Sequence, residues 1–584
     1  MGRAFSEVIS AQLAQAPNVD AIGMSRIRAL SLPMGLRPAS APGASTEQAA
    51  ALAAGANRIG YGTYWLSGGR LQARLEIQDP ARMRDVRVFS ASAPASNVVG
   101  AASELSRQIS ARAGRYGTSN EAALMNYAGA IEAPDASTAE SKASLAIAAD
   151  PDFGPPYRLL AEIKAQRDRD AALALLEGAL ARPAIHPLEH ARLQLEAARL
   201  RRDPAALENS LATLAKLEPL DAGNWKALAE AATARHNYRQ ALSAWQAVLK
   251  LQPDNVEALN ASAYAAAYAG DLSAGVAALR RYAALRPKDP NALDSLGDVH
   301  LIVGKLKEAE EFYIQAVKKD PNFYSGADWF KAAMARLMTG DVSGADGLAA
   351  QYTSARSAAH DPTVPMLEAE WQWLSGRRKP AYRALEQFAR SLENGQSHEL
   401  AARAYTQLAI WSLILDDRPA AAQMSAKAVA LAGPATANDA VIARFLAQPP
   451  TTAEEWQSRA ARLAPSEAQQ TIRDTVLAHA LLASREFAPA SDILRRLYDS
   501  GAASNNEGLP VLLAWTYLET GRDNDAAPLL QFNPIPPIAG PAYFTGLYFP
   551  RIFDLRARLG EKQGKADEAQ ANRKIFAALS EPRP

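Results

Sequence analysis

Residues 216–260 read KLEPLDAGNWKALAEAATARHNYRQALSAWQAVLKLQPDNVEALN. Pro219 and Pro253 in this stretch are 34 residues apart, and Pro287 and Pro321 continue at the same interval. Pro151 lies two such periods upstream of Pro219, and the position between them, 185, falls between Pro183 and Pro187. Proline disrupts a helix interior. A proline recurring at this fixed interval therefore marks the end of one unit, where the chain turns into the next. Two antiparallel helices fit each period, with the proline after the second.

The positions inside each unit agree. The unit ending at Pro253 carries Trp225, Leu228, Ala241 and Trp245. The unit ending at Pro321 carries Leu293, Leu296, Gly297, Gly304, Ala309, Tyr313 and Ala316. Small residues suit the points where two helices cross closely, and large ones fill the groove beside them. The unit ending at Pro287 keeps Leu259 and Gly270 but has Ser262 and Gly275 at packing positions. Period and packing residues together resemble the tetratricopeptide repeat. The fold expected is mainly α: a tetratricopeptide-like α-solenoid preceded by a small α+β domain.

Helix pairs continue beyond residue 322 out of phase with the prolines. The expected pairs are Phe323–Thr339 with Ser343–Ala358, Pro365–Leu374 with Ala381–Leu392, and Ala401–Leu415 with Pro419–Ala432. Leu477–Ser484 with Ala488–Tyr498, Pro510–Thr520 with Asn524–Leu530, and Leu547–Gln563 with Ala566–Leu579 complete the series. Between the last two pairs, residues 533–541 form a stiff proline-rich stretch, expected as a surface linker rather than a lid or contact loop.

The first hundred residues differ. Residues 5–15 have helical spacing and stop at Pro17, residues 18–24 read as a short strand, and 31–44 read as a loop. Thr46 can cap a helix over 47–54 that Gly55 ends. The period then becomes two. Ile59, Tyr61, Thr63 and Trp65 share one strand face, Ser67-Gly68-Gly69 turns, and Leu71, Ala73, Leu75 and Ile77 form the buried face of a second strand. Val86 and Val88 mark a third strand, and 97–112 returns to helix. The segments Phe5–Gln15, Ala54–Thr63 and Gly68–Leu75 resemble the small domain, similar to the N-terminal domain of TolB, found before tetratricopeptide arrays in bacterial sensors and kinases. That resemblance spans roughly 3–115 and implies an accessory or sensor role. A strand that precedes the first helix in that family has no counterpart here. The expected organisation is therefore 1–115 (α+β), 120–322 (tetratricopeptide repeats) and 323–584 (divergent repeats).

Composition excludes several chemistries. The 584 residues are 48% hydrophobic and 21% charged, which is a folding composition and not a disordered one. Sixty-three Lys and Arg against 62 Asp and Glu leave a net charge of +1, so no global field favours nucleic acid. With 0 Cys, disulfides, thiolate metal sites and cysteine nucleophiles are ruled out. No apolar run reaches membrane-spanning length. The start reads as an ordinary helix rather than a signal peptide, although Gly2 and Ser6 fit the letters of a myristoylation pattern. Cytoplasmic and extracytoplasmic locations both stay open.

Few motifs suggest chemistry. His186-Pro-Leu-Glu-His190 matches H-x-x-E-H, but it falls at an inter-repeat turn, so no metal site is expected. No phosphate-binding glycine loop and no nucleophile elbow occur, so no enzyme activity, catalytic residue or cofactor is expected. Asn260-Ala-Ser262 is a sequon by letter inside a helix. Arg201-Arg202 and Arg280-Arg281 read as solvated helix ends.

A binding site is expected on the first helix of each pair, whose outer positions line the concave side of such arrays. By phase these positions are Lys226, Glu230, Asn260, Tyr264, Asn291, Asp294 and Asp298. One lysine followed by acids does not match the carboxylate clamp of the best-known family members, so a basic or neutral protein or peptide segment is the expected partner. A second reading, implied by the N-terminal resemblance, is the sensor part of a bacterial serine/threonine kinase or transcription regulator whose effector lies upstream.

Overall fold

A computed structural model describes residues 1–24, 27, 46–79, 84–393, 395, 397–434, 436–448, 452–463, 470–501, 508–536 and 545–580. Helices α1 (Gly2–Leu13) and α2 (Thr46–Ala53) precede strands β1 (Ile59–Ser67), β2 (Arg70–Asp79) and β3 (Arg84–Pro94), and α3 (Val98–Ile109) follows. The strands form one antiparallel sheet in the order β1-β2-β3, with Tyr64 opposite Ala73 and Leu75 opposite Phe89. Leu71, Ala73 and Leu75 are buried with Phe5 and Val8 of α1 and Val98, Ala102 and Leu105 of α3. Asn97 caps α3 by accepting the Gly100 N–H at 2.7 Å. The hairpin differs from expectation in one respect. Only β2 has a buried face, whereas β1 is exposed along nearly its whole length. The strand expected at 18–24 is absent. The chain turns there instead, with the Val19 N–H on the Ala16 carbonyl. The loop expected at 31–44 lies outside the described residues.

The rest is helical. In order come α4 (Glu121–Ile131), α5 (Ala136–Ala149), α6 (Gly154–Ala165), α7 (Arg169–Leu180), α8 (Pro187–Arg201), α9 (Pro204–Leu217), α10 (Ala222–Ala234), α11 (Tyr238–Leu251), α12 (Val256–Tyr268) and α13 (Leu272–Leu285). Next are α14 (Asn291–Ile302), α15 (Leu306–Lys319), α16 (Ala327–Met338), α17 (Val342–Ala358), α18 (Val364–Leu374), α19 (Arg378–Leu392), α20 (His398–Ile414) and α21 (Arg418–Leu431). The last are α22 (Ala437–Ala447), α23 (Ala453–Leu463), α24 (Gln470–Ala483), α25 (Phe487–Asp499), α26 (Leu509–Glu519), α27 (Asp523–Leu529), α28 (Thr545–Lys562) and α29 (Ala566–Ser580). This is a tetratricopeptide-like solenoid that follows a small α+β domain in the chain. The chain divides into two compact units, Met1–Ala231 and Ala232–Pro584.

The turn inside most of the pairs has its own signature. A left-handed residue stands directly before the N-cap of the second helix: Arg202, His236, Gly270, Gly304 and Gly340 all have positive φ. The first four of these are 34 residues apart, a second record of the repeat. Aspartates then cap the second helices. Asp168, Asp203, Asp271, Asp341 and Asp417 each accept a first-turn N–H. Such a cap stabilises a helix start by about 1 kcal/mol.

Close crossings explain the small residues. A Cβ built on Gly297 of α14 would lie 2.4 Å from the Tyr313 ring of α15, and Tyr313 is fully buried. Gly297→Ala is expected to destabilise the second unit by about 1–3 kcal/mol through overpacking. Gly178→Ala, in α7 with nothing within 4 Å, should be neutral or stabilising by about 0.5–1 kcal/mol. Urea unfolding of the two variants checks the contrast, and equal effects would refute the crossing argument.

Within the second unit the C-terminal helices return to the intra-pair turns. Tyr498 stacks on His236 with ring centres 3.9 Å apart, and Phe532 meets Tyr268 edge-on at 5.2 Å. The Asn533 N–H and Nδ2 donate to the carbonyls of Ile302 and Leu301 at 3.0 and 2.9 Å. Gly340 and Gly376 sit against Ile575 and Leu579. One hydrophobic cluster joins α16, α17 and α18 to α24–α29. The proline-rich stretch is thus a contact segment at its start rather than a plain linker. Its residues 537–541 lie outside the described residues.

Candidate functional site

The seven positions expected on the binding face fall into distinct environments. Lys226 and Glu230 belong to the first unit. They lie one turn apart on α10, with side chains 38% and 57% exposed and with Nζ and Oε1 3.8 Å apart. An exposed i,i+4 pair of this kind contributes a few tenths of a kcal/mol at most.

The other five belong to the second unit. Asn260 of α12 is half-buried, and its Oδ1 has no hydrogen-bond partner. Asn291 opens α14. Its N–H donates to Asp289 Oδ1 at 2.9 Å and its Nδ2 to the Tyr282 hydroxyl at 3.2 Å, so it serves the turn between pairs. Tyr264, Asp294 and Asp298 come together. The Tyr264 hydroxyl donates to Asp298 Oδ2 at 2.7 Å, and the Tyr313 hydroxyl donates to Asp298 Oδ1 at 2.7 Å. Lys331 of α16 donates to Asp294 Oδ1 at 2.5 Å and Asp298 Oδ1 at 2.9 Å.

The repeat phase predicts these acids to be exposed, and they are not. Asp294 and Asp298 are 5% and 4% exposed, and Lys331 is 3% exposed. Lys331 stands 34 residues after Gly297, but α16 is displaced by two residues from that period, as Gly340 stands 36 after Gly304; Ala333 is therefore the counterpart of Gly297, and Lys331 that of Ser295. Its ammonium reaches back to the acids of α14.

A third carboxyl completes the cluster. Asp328, one turn before Lys331, is fully buried, and neither of its oxygens finds a donor. Burial, with Asp294 next to it, pushes its pKa up to about 9. Burial and the neighbouring Asp298 also raise Asp294. Two carboxyls in contact cannot both ionise in such a place. Asp328 therefore keeps its proton at neutral pH and shares it with Asp294. Burial raises the hydroxyls of Tyr264 and Tyr313 well above their ordinary value, so both remain donors.

The H-x-x-E-H segment is structural. His186 Nδ1 caps α8 by accepting the Leu188 N–H at 3.3 Å, His190 Nε2 contacts the Leu180 carbonyl at 3.1 Å, and Glu189 pairs with Arg192 at 2.6 Å. Among the described residues no group of three or more His, Asp or Glu is placed to hold a metal ion. No helix among them is long and apolar enough to cross a membrane.

No family model matches this chain, and no curated protein matches it. Several solved structures are similar to parts of it. MamA is 14% identical over 29% of this chain and 95% of its own, with a TM-score of 0.25. YrrB, described as a TPR protein with an unusual peptide-binding site, is 16% identical over 31% and 93%, with a TM-score of 0.26. The Naa15/Naa10 complex bound to HypK-THB is 14% identical over 78% and 75%, with a TM-score of 0.32.

Proposed function

We propose that the chain is a non-enzymatic scaffold whose first-helix faces bind a protein or peptide segment, with the N-terminal α+β domain (1–115) as an accessory or sensor module preceding the repeats of 120–322 and 323–584. The observation that carries this reading is the stack of helix pairs itself. Stacked helix pairs of this kind line one face with their first helices, where exposed polar side chains can recognise a peptide.

The geometry also sharpens the partner. Lys331 offsets two of the acids, and Asp328 is neutral, so the α12–α14–α16 face is less negative than its letters suggest. A neutral segment fits this face better than a strongly basic one.

Photo-crosslinking tests the placement. A benzoyl-phenylalanine at Asn260 or Lys226 of the full chain should capture a defined partner that the same probe at Lys307, on a second helix, does not. Equal capture from Lys307 would count against the first-helix face.

A further inference from the structure

Arg378 opens α19 and Arg551 lies in α28. Each guanidinium rests on an indole. The Arg378 Cζ is 5.5 Å from the Trp373 ring centre, and the Arg551 Cζ is 3.6 Å from that of Trp515. Among the described residues neither makes a hydrogen bond or an ion pair, and the Nε of each is buried without a partner.

The neighbouring arginines behave differently. Arg377 holds both Asp346 oxygens at 2.7 and 2.6 Å, and Arg558 holds Glu519 at 2.8 Å. Asp554, whose charge pulls most strongly on Arg551, lies 3.9 Å from Arg558 and 3.6 Å from Arg573, so none of these acids pairs directly with Arg378 or Arg551. Arg378 and Arg551 remain as surplus cations, close enough to repel each other. Burial, followed by the charges of Arg558 and Arg378, outweighs the pull of Asp554 and Glu519 and holds Arg551 down to about 10. Burial alone lowers Arg378.

The local fold keeps them together. Helices α18 and α28 pack through Gly546, where a Cβ would lie 2.5 Å from Trp373 Nε1. Helix α19 starts without a side-chain cap and carries Arg377, Arg378 and Lys379 around its first turn. Cations there oppose the helix dipole, whose positive end favours an anion. Two half-buried cations without a directly paired carboxylate are costly. A guanidinium presents a planar fork that matches carboxylate and phosphate oxygens, and stacking on an indole fixes that fork in place.

We propose that Arg378 and Arg551, backed by Trp373 and Trp515, form a binding site for an oxyanion: a carboxylate or phosphate group carried by a ligand. The site lies on α18, α19, α26 and α28 and does not depend on the first-helix face of the preceding section.

The test uses the full chain at fixed ionic strength, with chloride as the reference salt. Sodium phosphate and a tetraglutamate peptide are titrated separately while tryptophan fluorescence and melting temperature are followed. At least one of the two should give a saturable fluorescence change and a rise in melting temperature that chloride does not give. Phosphate alone would identify a phosphoryl ligand, and the peptide alone a carboxylate. Arg378→Gln and Arg551→Gln should each weaken that response by about tenfold, and the double variant should abolish it. Without anion the variants should melt no lower than the wild type, because each removes an uncompensated cation. No saturable response from either anion would overturn the proposal, as would a double variant that responds like the wild type. Variants that melt several degrees lower with an unchanged response would show that the two arginines only support packing.

Discussion

Lys331→Met is expected to destabilise the second unit by about 3–5 kcal/mol, the range for breaking a buried ion pair from one side. The methionine fills much the same volume, so packing is not the main loss. What changes is charge. Asp294 and Asp298 both depend on the Lys331 ammonium, at 2.5 and 2.9 Å, and solvent does not reach them. Without it they must take up protons or open the α14–α16 contact. Urea unfolding followed by tryptophan fluorescence reads the effect. A Lys331→Met stability within about 1 kcal/mol of the wild type would refute the assignment.

Asp328→Asn should behave in the opposite way. Asparagine has nearly the shape of a protonated carboxyl, so the variant keeps the contact with Asp294 and removes the need for a proton. The sign with pH follows from proton counts. The unfolded chain releases the Asp328 proton near the ordinary value of 3.8, whereas the folded chain holds it up to about 9. Between those values the folded state binds the extra proton, so this group's contribution to stability falls as pH rises. The cost is absent below pH 3.8 and complete above about 9. Asp328→Asn should therefore gain stability relative to the wild type as pH rises from about 5 to about 9. A constant difference across that range would mean that Asp328 is already ionised.

The same cluster shows what a sequence can and cannot say about this fold. Evenly spaced prolines reveal the repeat, and the helix pairs after residue 322 lie close to where apolar spacing puts them. The phase fails there for a physical reason. Tyr324 and Ser325 take left-handed conformations before α16, and α17 is 17 residues long against 14 for α15. Each change shifts the count, so a 34-residue step from Gly297 lands on Lys331 although its counterpart in α16 is Ala333. Asp294 and Asp298 read as exposed because their partner sits one repeat away. Helices α22 and α23 are masked in the sequence by the prolines at 434, 449, 450 and 465, although Phe445 and Trp456 pack edge-on at 5.5 Å between them. The strand expected at 18–24 has alternating apolar residues, but period alone does not supply a neighbouring strand. A repeat pattern also encodes only contacts between adjacent units. It cannot reveal that C-terminal residues dock on turns of much earlier repeats.

Arg556 is a polar support of that docking, and Arg556→Leu should remove it. Arg556 of α28 donates Nε to the Leu530 carbonyl at 2.9 Å, Nη2 to the Phe532 carbonyl at 2.9 Å and Nη1 to Asn533 Oδ1 at 2.7 Å. Burial lowers its pKa to about 10, and no carboxylate offsets that cost. The three acceptors are therefore what hold the charge in place. They in turn aim Asn533, whose backbone and side-chain N–H groups satisfy the last carbonyls of α14. Truncation leaves three acceptors without a donor, at about 1–3 kcal/mol for each buried one, partly offset because a desolvated cation is removed. A net loss of about 2–4 kcal/mol is expected, concentrated where the segment 530–535 meets the α14–α15 turn. Hydrogen exchange should then show faster exchange at Asn533 and at the start of α15, with the first unit unchanged. Asn533→Ala should reproduce the local effect at smaller size, because Arg556 retains its two carbonyls. Unchanged exchange at Asn533 in Arg556→Leu would mean that the aromatic contacts of Phe532 and Tyr498 suffice to hold the C-terminal helices against the repeat turns.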